Sequence, residues 1–189
     1  TGLPRGWAAA DLGTALMALA LMVTAASSMS ARSRSPKANL RPSLTSGFSR
    51  LAAAAAASVY VVLVGGVLVS RPGALMRCLN WPGIVGLGRP EDVFGWLYLA
   101  RFAVGALASA LIVALVVQAW RTQLHRPRLV RNTTIVGALL AVGIVVGALM
   151  PTPDNGIVMP ALSMATAAAL WASLVALVLL AGRQAPDRE

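Results

Sequence analysis

The sequence predicts an all-α integral membrane protein of about five transmembrane helices. Three observations predict it. Of the 189 residues, 58% are hydrophobic and 12% are charged, against roughly 25% charged in an ordinary soluble domain. The mean hydropathy is +0.75, more apolar than a soluble domain of this size can hide, so lipid is the expected solvent. The apolar residues also form long unbroken runs and do not alternate with polar ones, which points to spanning helices and away from barrel strands.

Five runs carry the expectation: about Trp7 to Met29, Leu51 to Ser70, Phe94 to Trp120, Thr134 to Met150 and Ile157 to Gly182. A hydrocarbon core of about 30 Å takes roughly 20 residues of helix. The fourth run is the shortest, and is expected to span with help from flanking residues or by thinning the bilayer. The chain starts at Thr1, not Met, so sequence is expected upstream. The first run is too long and too weakly flanked by positive charge for a plain signal peptide.

The loops set the orientation. Arg32, Arg34, Lys37, Arg41 and Arg50 follow the first run, Arg121, Arg126, Arg128 and Arg131 follow the third, and Arg183 and Arg188 lie in the tail. With five crossings these eleven cations share one side, against Arg5, Arg71, Arg77 and Arg89 on the other. The positive-inside rule then places the N-terminus outside and the C-terminus in the cytoplasm of a bacterial inner membrane. The net charge of +10 is thereby accounted for without nucleic acid, since no aromatic residues interleave the basic ones. Residues 1–30 are read as an additional helix, 31–50 as a basic linker, 51–183 as a four-helix bundle and 184–189 as a tail. Residues 71–92 form the longest outward loop. Trp81, Trp96 and Tyr98 are expected at that membrane surface and Trp120 at the opposite one.

Few residues offer chemistry. One cysteine, Cys78, and one histidine, His125, exclude an intrachain disulfide, an all-protein zinc site and bis-histidine haem ligation within this chain. No cofactor is therefore expected. Cys78 is left as a free, lipidated or interchain thiol. Arg101, about two turns into the third helix, could hold an anionic headgroup, a cofactor carboxylate or a partner's acid. The reading that asks less of it is that it snorkels outward or pairs with Glu91 or Asp92. Asp11, near the outer end of the first helix, could cap it or bond across an interface. A proton relay would need further acids at depth, and there are none. His125 reads as a solvated loop residue, because an axial ligand should project from a helix into a bundle core. Gly65, Gly66, Gly105, Gly137, Gly143 and Gly147 permit close helix approach. The Ala52 to Ala57 run is a smooth face for packing on this bundle or a neighbour. Trp171, mid-way along the fifth helix, is expected as filler, a subunit contact or the wall of a cavity.

The stretch Gly65-Gly66-Val-Leu-Val-Ser-Arg-Pro-Gly73, continuing to Cys78-Leu-Asn-Trp81-Pro82, resembles the haem A synthase family, whose members are built from two four-helix halves. It is similar to a Gly-Gly helix end followed by the family's Cys-Pro-Asp-Trp-Pro turn. Trp96 to Arg101 then resembles the helix that carries the family's His-Arg pair, and Gly147 to Arg183 its last helix. The resemblance covers about 130 residues, Ser49 to Arg183, and implies a four-helix half with the cysteine loop outside. The family's ligand histidines fall at Ala100 and at or near Ser163, and its second loop cysteine at Ile84. What the resemblance implies is thus a fold without this half's haem ligands.

The function expected from these readings is a non-catalytic accessory subunit of a bacterial respiratory or photosynthetic electron-transfer complex, such as alternative complex III or a terminal oxidase assembly. Its partners would be other membrane subunits and lipids, contacted through Arg101, Trp81, Trp96, Trp171 and Asp11. Two other readings stand beside it. One is a haem A synthase-like enzyme or assembly factor working with a second chain. The other is a small-solute carrier, disfavoured by the lack of polar residues at mid-membrane.

Overall fold

The computed structural model describes residues 5–32, 46–69, 93–149 and 158–182. They form five helices: α1 (Arg5–Arg32), α2 (Gly47–Val69), α3 (Val93–Thr122), α4 (Pro127–Leu149) and α5 (Val158–Gly182). No strand occurs among the described residues. All five helices contain a stretch of 21 to 24 residues long and apolar enough to cross a membrane. The protein is an all-α, multi-pass membrane protein.

Local chemistry sets two of the helix starts. Ser46 caps α2: its hydroxyl accepts the backbone N–H of Ser49 at 3.1 Å, using a side-chain oxygen to satisfy a donor that has no intrahelical partner. Pro127 opens α4, where its fixed φ suits a first helical residue and its missing N–H costs nothing. Between α3 and α4 only Gln123 to Arg126 intervene. The turn is closed by the Gln123 N–H to the Ala119 carbonyl at 2.9 Å and the Arg126 N–H to the Gln123 carbonyl at 2.8 Å.

Two sequence-based boundaries need correction. α4 begins seven residues before Thr134, so its span runs from Pro127 to Ala148 over 22 residues and needs no thinning of the bilayer. Arg128 and Arg131 belong to its first turns, not to a loop, because guanidinium groups on long stems can stay in water while the backbone is helical. The basic linker likewise stops short of residue 50, since Ser46 already caps α2.

α2, α3, α4 and α5 close a ring in which each packs on the next and α5 returns to α2, while α1 lies on the α2–α5 seam. The centre is filled by Val59 of α2, Ile112 and Leu115 of α3, Val136 of α4, and Leu174 and Leu177 of α5, all essentially inaccessible. Lipid is as apolar as leucine, so close van der Waals packing holds this core together, with little hydrophobic drive between helices. Ala52, Ala55 and Ala56 are buried against this bundle, which settles the facing of the alanine run. Three buried hydroxyls are satisfied locally: Ser49 donates to the carbonyl of the capping Ser46, and Thr133 and Thr166 donate within their own helices to the carbonyls of Leu129 and Leu162. Such back-bonding keeps hydroxyls paired where no water is available.

Candidate functional site

The side chains able to do more than pack gather at two places. The first is the seam where α1 meets α2 and α5. α1 turns Ala9, Gly13 and Leu16 inward, a spacing of four and three residues that makes one helical stripe. Trp171 of α5 is buried against it, and its indole N–H donates to the Leu16 carbonyl at 3.0 Å. The Tyr60 ring of α2 lies 5.5 Å from the Trp171 ring, tilted by 40°. A Cβ on Gly13 would stand 3.0 Å from the Tyr60 hydroxyl oxygen, so the absence of a side chain is what admits the tyrosine.

The second place is the hairpin end of α3 and α4. An open groove of about 450 Å³ lies between them, with Val113, Val117 and Trp120 on one wall and Thr134, Gly137 and Ala138 on the other. At its end the Trp120 indole N–H donates to the Thr134 hydroxyl at 3.3 Å. The groove narrows at Gly137, where a Cβ would come within 3.1 Å of Val116. Arg121, Arg128 and Arg131 are exposed around this end and Arg126 is half-buried. On the other flank of α4, the Asn132 amide donates to the Ser173 carbonyl of α5 at 3.4 Å, a long bond that ties the two helices. Sequence reasoning passed over Asn132. Its signal was available, since it is the sole amide in α4.

The residues singled out from the sequence are dispersed. Asp11 is exposed and lies in the second turn of α1, past any capping position, so the expected cap is not formed. Trp96, in the first turn of α3, is 62% exposed, and Trp120 stands 24 residues further on. That is about 36 Å along the helix axis, fitting two aromatic belts around a hydrocarbon core of about 30 Å. Arg101 is on α3, immediately before the apolar span Phe102–Thr122, at the border of that span. Ser163 is buried and Ala100 exposed. His125 is exposed in the α3–α4 turn. Cys78, Trp81 and Ile84 lie outside the described residues, as do Glu91 and Asp92. Among the described residues no three histidine, cysteine or acidic side chains come together as a metal site.

The glycine expectation divides. Gly137 does sit at a tight contact, and Gly143 meets Thr166 at an ordinary 3.6 Å, but a Cβ on Gly65 would find nothing within 4 Å. Gly13, which sequence reasoning did not single out, sits as tightly, with a would-be Cβ 3.0 Å from the Tyr60 hydroxyl.

Compared with known proteins, the chain is similar to two proteins named protoheme IX farnesyltransferase. One, from Roseiflexus castenholzii (strain DSM 13941 / HLO8), is 32% identical over 139 residues, covering 71% of this chain and 25% of the relative. The other, from Roseiflexus sp. (strain RS-1), is 30% identical over 139 residues with the same coverage. The chain thus spans about a quarter of the length of the curated relatives it matches. No family model matches the chain, and no solved structure matches it. Both relatives carry the name of an enzyme, which overturns the expectation that the chain has no enzymatic role. That expectation rested on the scarcity of reactive side chains, a weak argument where one stretch can serve an active site completed elsewhere in the protein.

Proposed function

We propose that this chain is a membrane-embedded part of an enzyme that modifies haem, with a farnesyl transfer onto protohaem as the reaction it serves. The observation that carries the reading is the similarity to two protoheme IX farnesyltransferases over 71% of the chain. The resemblance of Ser49 to Arg183 to haem A synthase, over a stretch that overlaps this one, supports the same substrate class. The ring centre is aliphatic, and the single histidine is solvated in a turn, so tight bis-imidazole ligation is not supplied. Arg101, at the border of the α3 span, is the residue assigned to a haem propionate, since a guanidinium matches a carboxylate with two parallel hydrogen bonds.

The test is haem analysis of membranes by mass spectrometry, with and without the gene and with Arg101→Gln. Loss of the farnesylated haem on deletion, and a reduction of roughly tenfold with Arg101→Gln, equivalent to about 1.4 kcal/mol, is the expected result. An unchanged haem profile in the deletion strain sinks the proposal.

A further inference from the structure

We propose that the α3–α4 groove binds one anionic phospholipid, with an acyl chain lying along Val113, Val117 and Ala138 and the phosphate set among the arginines of the hairpin. The groove's volume, about 450 Å³, lies within the range of roughly 300–1,000 Å³ usual for small-ligand pockets. Its walls are aliphatic except at one end. There the two polar groups bond to each other, Trp120 to Thr134, and the Thr134 hydroxyl is in turn bonded to the Val130 carbonyl at 2.9 Å. The interior therefore asks for an apolar chain and offers nothing to a polar guest.

The mouth asks for an anion. Arg121 closes α3, Arg126 precedes Pro127, and Arg128 and Arg131 lie in the first turns of α4. The only acidic side chain among the described residues is Asp11, on α1 across the bundle at the α2–α5 seam. No described carboxylate is placed to neutralise the cluster. Guanidinium groups favour phosphate, and the exposed Trp120 indole marks the headgroup level, where amphipathic rings settle. An apolar slot that ends at Trp120 and Thr134, next in sequence to Arg121 and three residues from Arg131, is complementary to a single molecule with an acyl chain and a phosphate. The inference does not depend on the haem reading: it concerns the lipid-facing side of α3 and α4.

Native mass spectrometry of the full chain, released from bilayers of equal phosphatidylglycerol and phosphatidylcholine, tests it. Wild type should retain one phosphatidylglycerol in preference to phosphatidylcholine. Replacing Arg128 and Arg131 by Gln should reduce that preference by about fivefold per arginine, the worth of a cation near a charged surface. Ala138→Phe should lower lipid occupancy by filling the slot from an exposed position, and Val113→Phe does the same from the other wall should the first variant fold poorly. Equal retention of both lipids by wild type overturns the proposal. So does unchanged phosphatidylglycerol occupancy in a folded slot-filling variant, or a dimer of chains that excludes lipid from this face. Each of these readouts is independent of farnesylated haem levels.

Discussion

Gly13 faces Tyr60 where α1 meets α2. With a Cβ placed only 3.0 Å from the tyrosine oxygen, Gly13→Ala must push either the ring or the helix by a few tenths of an ångström. An overpacking cost of about 1–3 kcal/mol follows. The opposing atom is a single hydroxyl, so Tyr60→Phe should remove most of that cost. The check is a double-mutant cycle by thermal unfolding in detergent, and additive effects would show that the two residues do not meet. Trp171→Phe isolates the neighbouring bond. It keeps the ring but removes the donor to Leu16, and should cost about 0.5–1.5 kcal/mol, since the Leu16 carbonyl can still pair within α1. Gly65 offers the contrast, because nothing stands within 4 Å of its would-be Cβ. Gly65→Ala should be neutral or raise stability by about 0.5–1 kcal/mol through helix propensity. Measured together in the same detergent, these variants separate a glycine kept for approach from one that is not.

At the scale of elements, Ser46 fixes where α2 starts. Ser46→Ala strips the acceptor from the Ser49 N–H and should cost about 1 kcal/mol, read as faster hydrogen exchange in the first turn of α2. How well the sequence foretold the elements follows from what hydropathy responds to. Five long apolar runs were plain, and five helices formed. The start of α4 was not, because Arg128, Arg131 and Asn132 are polar yet helical. A hydropathy window weighs side chains, whereas the helix is made by backbone bonds that begin at Pro127. The order of packing was not legible either. The grouping of α2 to α5 apart from α1 was read from the resemblance, but helices of similar Ala, Leu and Val content carry no mark of which neighbours which, so the order round the ring and the place of α1 on the α2–α5 seam emerge only in three dimensions. The seam itself was half legible. Trp171 drew notice as a lone large residue in mid-helix, while Gly13 was one small residue among many. The likeness to proteins named as an enzyme was invisible for a related reason, since the chain's few reactive side chains gave no constellation to read.

For the whole molecule, the placing of the arginines predicts the sidedness in the membrane. α3 runs from Val93 to Thr122, so the segment before it, with Cys78, and the hairpin after it, with His125, must emerge on opposite faces of the bilayer. Arg121, Arg126, Arg128 and Arg131 cluster at the hairpin, and arginine-rich short loops stay on the cytoplasmic side. Cys78 is then predicted on the outer face, and a membrane-impermeant maleimide added to intact cells should label it, provided the thiol is not lipidated or bonded to another chain. His125 is exposed in its turn, which makes His125→Cys in a Cys78→Ser background a clean reporter of the other side. It should be labelled only after the membrane is opened. Labelling of His125→Cys in intact cells, with no labelling of Cys78, would reverse the topology. It would also move the hairpin end of the α3–α4 groove, with its arginines, to the outer leaflet without altering the proposed preference for an anionic lipid.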